Sequence, residues 1–224
     1  MPRELIRAFV AMVVITIVFG LGYPLIMTGL SQGIFPGSAS GSLIKRDGVV
    51  IGSKLIGQQF YENVIGKDGK AVTVKGVVQT QPDPRYFQTR PSATTPPDNA
   101  EASTFSNLGP NSVATEQEIA GNIQTYLALN MGPDKKPYDR VVKSAAQVPV
   151  DAADSSASGV DPDISIANAK IQAYRVAAVR HLSLAAVDSL VAKNTTGRPL
   201  GFMGEPGVNV LELNLALDRI GAKK

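Results

Sequence analysis

Serine and histidine are the residue types on which hydrolases build a nucleophile, and the chain offers few arrangements of them. Residues 155–159 read Ser-Ser-Ala-Ser-Gly, but the Gly-x-Ser-x-Gly pattern of a nucleophile elbow is absent. The single histidine, His181, ends a predicted helix, where a positive charge interacts favourably with the helix dipole. Capping is therefore the favoured role for His181, and a serine–lysine pair is the one nucleophilic arrangement left open.

Metal and phosphate sites also lack their usual ligand patterns. The chain has no cysteine, so a metal would depend on His181 and carboxylates. Four aspartates lie near one predicted loop: Asp151, Asp154, Asp161 and Asp163. They lack the glycine and terminal glutamate of a calcium loop, so turn and cap chemistry is favoured. Residues 48–54 have the wrong spacing for a phosphate loop. We therefore predict no catalytic residue and no metal ligand.

The positive charge is modest and spread out, which argues against a nucleic-acid partner. The formal net charge is +3. In the best late helix, Lys170, Arg175 and Arg180 fall about 140° apart around the axis, so they form no basic stripe. Nucleic-acid binding needs such a stripe to contact phosphates.

An apolar N-terminal segment is the clearest structural element. Residues 8–30 are almost wholly apolar, and about 23 helical residues reach roughly 34 Å, which spans a bilayer core. The pattern predicts a cytoplasmic N-terminus at 1–7, a transmembrane helix at 8–30 and a linker at 31–40. A cleaved signal peptide is the minority alternative, since its apolar region is usually shorter, about 7 to 15 residues.

The flanking charges predict the orientation of this helix. Arg3 and Arg7 precede it, whereas residues 31–41 contain no lysine or arginine. By the positive-inside rule, the N-terminus is cytoplasmic and residues 41–224 form an extracytoplasmic domain.

The first half of that domain predicts strands and a long loop. Asp47-Gly48 indicates a hairpin between residues 43–44 and 49–51. A second hairpin would pair residues 64–65 with a strand at 71–78. Residues 79–110 are rich in Pro, Ser, Thr and Asn and predict a loop of about 30 residues, either disordered or held by a partner.

The second half predicts helices, which makes the fold class α+β. Thr115 and Glu118 suggest a capping box that opens a helix ending near Asn130. Residues 148–150 suggest a short edge strand. Ser165 and Ser183 open two helices that form an αα-hairpin in the last third, at 166–181 and 184–193. The tail at 208–220 is interpreted as a helix capped by Asn209.

A set of short segments occurs in a fixed order across nearly the whole chain. The segments are GYPL at 22–25, GSLI at 41–44, LIGQQF at 55–60, YFQTRPSA at 86–93, SNLGPN at 106–111, VPVD at 148–151, SASGVDP at 156–162, IS and ANA at 164–169, GEP at 204–206 and VNVLELNLALD at 208–218. Together they resemble the C subunit of the Kdp potassium-transporting P-type ATPase. The chain departs from the family pattern at residues 61–85, which separate two segments that usually lie closer. We interpret them as an inserted hairpin.

The resemblance implies a non-catalytic accessory subunit of a high-affinity potassium pump in the bacterial inner membrane. Its partners would be a channel-like potassium-binding subunit and a P-type ATP-hydrolysing subunit. The family is also described as a catalytic chaperone that raises the ATP affinity of the hydrolysing subunit. Cellular ATP lies across the membrane from the predicted domain, so we favour an assembly and gating role over ATP binding.

The long loop then has two interpretations. In one, Arg90, Ser92, Ser106, Asn107 and Asn111 dock on the channel-like subunit. In the other, the same side chains satisfy the loop's own backbone. The alternative function for the whole chain is a free-standing, membrane-anchored enzyme or binding domain.

Overall fold

The computed structural model describes residues 2–221. It begins with a helix over Pro2–Ile34 whose apolar window has a mean hydropathy of 2.4 and no buried residue. The helix comprises α1 (Pro2–Ile17), a π-helical turn (Val18–Gly22) and α2 (Tyr23–Ile34). In the π turn, the Tyr23 N–H donates to the Val18 carbonyl five residues back. Because the proline at position 24 cannot donate to the ladder, the wider turn relieves its clash with the preceding turn.

The contact pattern divides the chain into two units, Met1–Ser53 and Lys54–Lys224. The first contains α1, α2, a short α3 (Pro36–Ala39) and a hairpin of β1 (Leu43–Arg46) with β2 (Val49–Ser53). Its turn has positive φ angles at Asp47 and Gly48, 51° and 81°. Two such residues make the tight turn that suits a hairpin, so the Asp-Gly prediction is confirmed.

The second unit opens with an exposed β-ribbon. Strand β3 (Tyr61–Asn63) pairs with β6 (Thr80–Pro82), and β4 (Thr73–Val74) pairs with β5 (Val77–Val78). The predicted hairpin turn at 66–70 is confirmed by the bridge between Ile65 and Ala71. The single strand predicted at 71–78 is wrong, because Lys75 and Gly76 take positive φ angles and turn the chain back on itself.

The other regular elements of this unit are helices and one small sheet. The helices are α4 (Val113–Leu129), α5 (Val150–Ala153), α6 (Ile166–Arg180), α7 (Leu184–Lys193) and α8 (Val210–Gly221). The sheet has the order β7 (Asp163–Ser165), β9 (Gly207–Asn209), β8 (Thr195–Thr196), with antiparallel pairs. The α+β class and the αα-hairpin of α6 and α7 are confirmed.

The core of the second unit lies where α6, α7 and α8 meet this sheet. Ala169 and Ala173 give α6 a smooth buried face, against which larger apolar side chains of α7 and α8 pack. Leu213 and Leu217 are fully buried one turn apart on α8. Phe87 is fully buried in the same cluster although it belongs to the long loop. The loop therefore contributes to the core.

Local capping explains where most helices begin, with one correction. The hydroxyls of Ser165 and Ser183 accept backbone N–H groups as N-caps, as predicted. The Asn209 side chain accepts the Glu212 N–H, which confirms the cap of the tail helix. The capping box at Thr115 is wrong: α4 begins one residue after Ser112, whose hydroxyl accepts from Ala114 N.

The short edge strand predicted at 148–150 is also wrong. A 3₁₀ turn over Ala145–Gln147 and the single-turn helix α5 occupy this part of the chain. Pro149 precedes α5 with a φ of −59°, which suits the residue that leads into a helix.

Candidate partner-binding site

Residues 84–88 are irregular in backbone but held by amide side chains from two helices. Asn214 of α8 donates to the Phe87 carbonyl and accepts from the Phe87 N–H, both at 2.9 Å. Gln172 of α6 does the same for Gln88, at 3.1 and 2.8 Å. Each amide supplies the donor and acceptor that a neighbouring strand would supply. The backbone groups of Phe87 and Gln88 are therefore hydrogen-bonded without a β-ladder.

A fully buried arginine completes this support. Arg175 donates to the carbonyls of Pro84 and Tyr86 at 3.1 and 2.8 Å, and to the side-chain oxygens of Asn130 and Gln172 at 3.0 and 2.9 Å. Burial lowers the pKa of Arg175 to about 10. The guanidinium is therefore still charged at neutral pH, and four uncharged oxygens disperse that charge.

The polar network continues from Gln172 towards α4 and α5. Asn168 accepts from Gln172 and from the Tyr126 hydroxyl, each at 2.9 Å, and donates to Asp151 at 3.0 Å. Burial raises the pKa of Tyr126, which keeps its hydroxyl a neutral donor. Asp151 also accepts the Ser165 N–H at 2.7 Å. The predicted cap chemistry of Asp151 is thereby confirmed.

Arg90 and Ser92 attach the next part of the loop to residues 155–161. A guanidinium nitrogen of Arg90 lies 3.2 Å from a carboxylate oxygen of Asp161. The Ser92 hydroxyl donates to the Gly159 carbonyl at 2.6 Å and accepts the Asp98 N–H at 2.9 Å. Gly159 has a φ of 70°, and a Cβ there would lie 2.5 Å from a backbone oxygen. The serine run thus forms a tight turn under the loop.

Asp98 is a half-buried carboxyl at the far end of this attachment. It accepts from the Gln59 amide at 2.6 Å and from the Thr89 hydroxyl at 3.1 Å. Burial raises the pKa of Asp98, and the nearby charge of Asp161 raises it further, although the two hydrogen bonds act in the opposite direction. Folding therefore shifts the equilibrium of this group towards its protonated form, relative to the unfolded chain.

A cleft of about 430 Å³ opens between the loop and α4. This volume lies within the range typical of small-ligand pockets. The lining combines prolines of the loop with polar side chains of α4: Pro82, Pro91, Pro97, Glu118, Asn122 and Thr125. Gln59, Tyr61, Gln88, Thr89, Arg90, Ser92, Ala93, Ser106, Tyr126, Leu129, Ala152 and Gln172 complete it.

The wall of the cleft carries one side chain of each charge, and both a donor and an acceptor that lack partners among the described residues. Its two charged lining residues are Arg90 and Glu118, and Arg90 is paired with Asp161. Two side-chain atoms of the wall, Gln88 Oε1 and Arg90 Nε, are buried without a hydrogen-bond partner in the described part of the chain. Among residues 2–221, no group of three His, Asp or Glu side chains is arranged to hold a metal ion.

The five predicted partner-contact residues separate into two groups. Arg90 and Ser92 are half-buried and hold the loop to its own domain, as the alternative interpretation expects. Ser106, Asn107 and Asn111 are exposed, and Ser106 lines the cleft. Asn107 has a φ of 56°, and its amide donates to the Phe105 carbonyl at 3.3 Å. Contact of these residues with a partner stays a prediction.

Sequence reasoning missed the residues that hold the loop in place. Arg175 was considered only as one of three charges spread around the helix axis, and the structure shows that it is fully buried. A signal was present: Asn168, Gln172 and Arg175 follow the i, i+4, i+7 spacing of one helix face. This polar stripe lies beside the alanine face of α6. If these three positions packed only against an apolar core, their side chains would be apolar.

Comparison with known proteins gives a consistent family match. The family described as "K+-transporting ATPase, c chain" matches residues 5–219. A Bradyrhizobium diazoefficiens protein named "Potassium-transporting ATPase KdpC subunit" is 44% identical, with 100% of both chains covered. Proteins of the same name from Acidobacterium capsulatum and Mycobacterium tuberculosis are 46% and 40% identical. Those matches cover 96% and 98% of this chain and 98% and 100% of the relatives.

Proposed function

The chain belongs to the KdpC family, the c chain of K+-transporting ATPases, and from this membership we propose that it is an accessory subunit that supports assembly of such a pump. The observation that carries the proposal is the full-length match, combined with one helix suited to a membrane span. The apolar side chains of Pro2–Ile34 are not buried within the chain, and the hydrocarbon core of a bilayer would remove them from water.

The proposed placement has the N-terminus in the cytoplasm and the domain from residue 41 onward outside the bacterial inner membrane. Arg3 and Arg7 lie at the start of the helix, and no Lys or Arg follows until Lys45. This asymmetry supports the orientation by the positive-inside rule. Protease added to spheroplasts of cells expressing the full chain is expected to digest the domain. Digestion only after the inner face is opened would contradict this orientation.

The proposed partners are a channel-like potassium-binding subunit and a P-type ATP-hydrolysing subunit. On the domain, Ser106, Asn107 and Asn111 are exposed, and they follow Ser103 and Thr104, which both donate to the Ser158 carbonyl, at 2.8 and 3.1 Å. An exposed polar stretch on a fixed base presents hydrogen-bonding groups to a partner with little ordering cost. This arrangement supports docking of the loop on the channel-like subunit.

A direct role in ATP binding receives less support. The charged lining residues of the cleft are Glu118 and Arg90, and Arg90 is already paired with Asp161. A triphosphate bound there would therefore be repelled by the Glu118 carboxylate. A second concavity, of about 480 Å³, is surrounded by Lys135, Lys136, Arg140 and Lys143. These side chains are exposed, so their attraction for phosphate would be weak and reduced by salt. We propose assembly support, without tight nucleotide binding by this chain.

The test is co-expression of the tagged full chain with the two proposed partner subunits. Both are expected to co-purify with it in mild detergent, and the purified chain alone is expected to show no micromolar affinity for ATP. If the wild-type chain does not capture one or the other of the two partners, the accessory role is contradicted. Micromolar ATP binding that is lost on a single substitution would instead support the chaperone description.

A further inference from the structure

The loop between α4 and the 3₁₀ turn at 145–147 carries the densest positive charge of the chain. Four cations fall within nine positions: Lys135, Lys136, Arg140 and Lys143. No other nine-residue stretch of the sequence contains more than three. All four side chains are exposed and surround the concavity of about 480 Å³ described above. We name residues 131–143 the basic loop.

Most of this charge is not neutralised within the chain. Arg140 lies 2.7 Å from Asp134, but the three lysines form no ion pair with any residue between 2 and 221. The other carboxylate of the loop, Asp139, accepts the backbone N–H groups of the two residues that follow Arg140, at 3.0 and 3.1 Å. The basic loop therefore presents a net positive charge to its surroundings.

The backbone of the basic loop is folded by its own hydrogen bonds. The Gly132 N–H donates to the Lys136 carbonyl at 2.8 Å, and the Lys135 N–H donates to the Gly132 carbonyl at 2.9 Å. Lys135 and Arg140 have φ angles of 56° and 61°, which are uncommon for residues other than glycine. Val142 is buried and attaches the end of the loop to the domain. The cations are thus arranged before any ligand binds, which lowers the ordering cost of binding.

The composition of the basic loop favours a lipid surface over a carboxylate groove of another protein. Lysine is a hydrated point charge without the planar fork that pairs with carboxylates, and the one arginine of the loop is already paired. Met131 and Val141 are 38% and 62% exposed beside the cations. Lysines next to exposed apolar side chains are the combination that binds the interface of an anionic bilayer.

The chain itself keeps a bilayer within reach of this loop. Residues 35–53 join the apolar helix to the second unit, and they would span roughly 65 Å even if fully extended. With the helix in a membrane, headgroup phosphates are therefore present at a high effective concentration. The attraction is weak for one free phosphate, but at an anionic surface each basic residue favours attachment by about fivefold.

We propose that the basic loop binds the phosphates of anionic phospholipid headgroups, with Val141 in the interface between headgroups and acyl chains. The inference rests on one part of the proposed function, the membrane span of Pro2–Ile34, and does not require the pump partners. In the proposed orientation these lipids belong to the outer leaflet of the inner membrane. The loop would give the domain a second attachment to the bilayer, besides its helix.

The first experiment uses a tryptophan in the loop as a reporter of lipid contact. The chain has no tryptophan, so V141W introduces a single one at an exposed position. The full-length variant, without partners, is placed in nanodiscs of phosphatidylglycerol or phosphatidylcholine that contain a lipid with a spin-labelled headgroup. We expect strong quenching of the tryptophan in phosphatidylglycerol and weak quenching in phosphatidylcholine. Equal quenching in the two lipids, or none in either, would overturn the proposal.

Salt tests whether the contact is electrostatic. Raising NaCl from about 0.1 to 1 M shortens the Debye length from about 10 to 3 Å and is expected to abolish the extra quenching in phosphatidylglycerol. Inorganic phosphate at the same ionic strength is expected to have no larger effect than NaCl. A selective effect of phosphate would indicate a pocket for a free anion and would overturn the assignment to lipid.

The second experiment compares two triple variants in the V141W background. K135Q/K136Q/K143Q is expected to lower quenching in phosphatidylglycerol to the phosphatidylcholine level, since loss of three lysines weakens attachment by about a hundredfold. K67Q/K70Q/K75Q removes the same charge from exposed lysines of the β-ribbon and is expected to leave quenching unchanged. Each triple includes one lysine with a positive φ angle, Lys135 or Lys75, so the backbone effects are matched.

The outcomes separate this inference from the proposed function. Circular dichroism of both triple variants controls for folding. Equal loss of quenching in the two triples would mean that only the total charge matters, and the basic loop would not be the lipid site. If the partner subunits co-purify with the chain but V141W is not quenched, only this inference is overturned. If V141W is quenched as expected but no partner co-purifies, the lipid contact stands and the accessory role falls.

Discussion

Two irregular segments of the second unit are held in opposite ways. Residues 84–98 are fastened by buried side chains of other elements, including Arg175 and Asn214. The connection between β8 and β9, residues 198–205 (the tip loop), is closed by its own exposed Arg198–Glu205 ion pair and leaves its apolar side chains exposed. Both lack regular helix or strand over most of their length, and both carry a phenylalanine. Irregular backbone therefore says little about rigidity, and the origin of the hydrogen bonds says more.

The two phenylalanines provide the sharpest test of this contrast. Phe87 is fully buried in the core, so Phe87→Ala is expected to lower the free energy of unfolding by about 4 kcal/mol. Phe202 is 73% exposed, so Phe202→Ala is expected to change it by less than about 0.5 kcal/mol. Urea unfolding of each full-length variant in the same detergent, followed by circular dichroism, measures both changes.

Equal changes for the two phenylalanine variants would remove the distinction between the segments. Phe87→Leu serves as a matched control, because it keeps most of the apolar volume in the core. Its cost is expected to be well below that of Phe87→Ala. A cost of Phe202→Ala above about 2 kcal/mol would show that the tip packs against its own domain.

The next largest effect is expected at Arg175. Arg175→Ala would leave the Pro84 carbonyl without its Arg175 donor and the Tyr86 carbonyl with only the 3.4 Å hydrogen bond from Gln88, and it would open a cavity, so we expect a loss of about 3 kcal/mol. Arg175→Lys keeps the charge but cannot reach four oxygens with a planar fork, and its expected loss is about half as large. Chemical denaturation of the full chain provides the measurement. A loss below about 1 kcal/mol for the alanine variant would mean that Gln172 and Asn214 suffice.

Helices were predictable where caps and periodicity agreed. Ser165 and Ser183 each precede a run of helix-forming residues, and both cap the helices that follow. The start of α4 was misplaced because two hydroxyl residues compete there. Ser112 caps the helix, while the Thr115 hydroxyl instead donates to the Gly109 carbonyl at 2.9 Å. The turn before the helix, which sequence spacing does not specify, decides between them.

The support of the loop was not predictable from local sequence. The amide of Asn214 meets Phe87 across 127 positions of sequence separation, and no periodicity within either segment reports this pairing. The tip loop was missed for the opposite reason. Pro, Gly and Glu around Leu200 and Phe202 predict a turn. These two side chains are exposed because no other part of the domain packs over them, and local sequence does not report this.

The smallest effect concerns pH and two carboxyls at the two ends of the fastened segment. Arg85 donates hydrogen bonds to Asp83 and lies close enough to hold the pKa of Asp83 below its ordinary value, even though burial acts the other way. Burial raises the pKa of Asp98. Asp83 therefore contributes stability that is present above the ordinary aspartate pKa and lost as the pH falls through its lowered value. Asp98 has the reverse sign: folding favours its protonated form, so stability falls as the pH rises from the ordinary value through the raised one.

Replacement by asparagine should separate these contributions at neutral pH. Asp83→Asn removes a favourable charge and is expected to lower stability, with a deficit that shrinks below pH about 4. Asp98→Asn removes an unfavourable charge, keeps an oxygen for Gln59 and Thr89, and suits the φ of 56° at this position. It is expected to raise stability, with a gain that fades in the same acidic range. Melting temperatures of both full-length variants and the wild type between pH 3 and pH 8 are the measurement. Parallel curves for Asp98→Asn and wild type would show that Asp98 is charged and well solvated in the folded chain, which would contradict the tight attachment of the loop at that end.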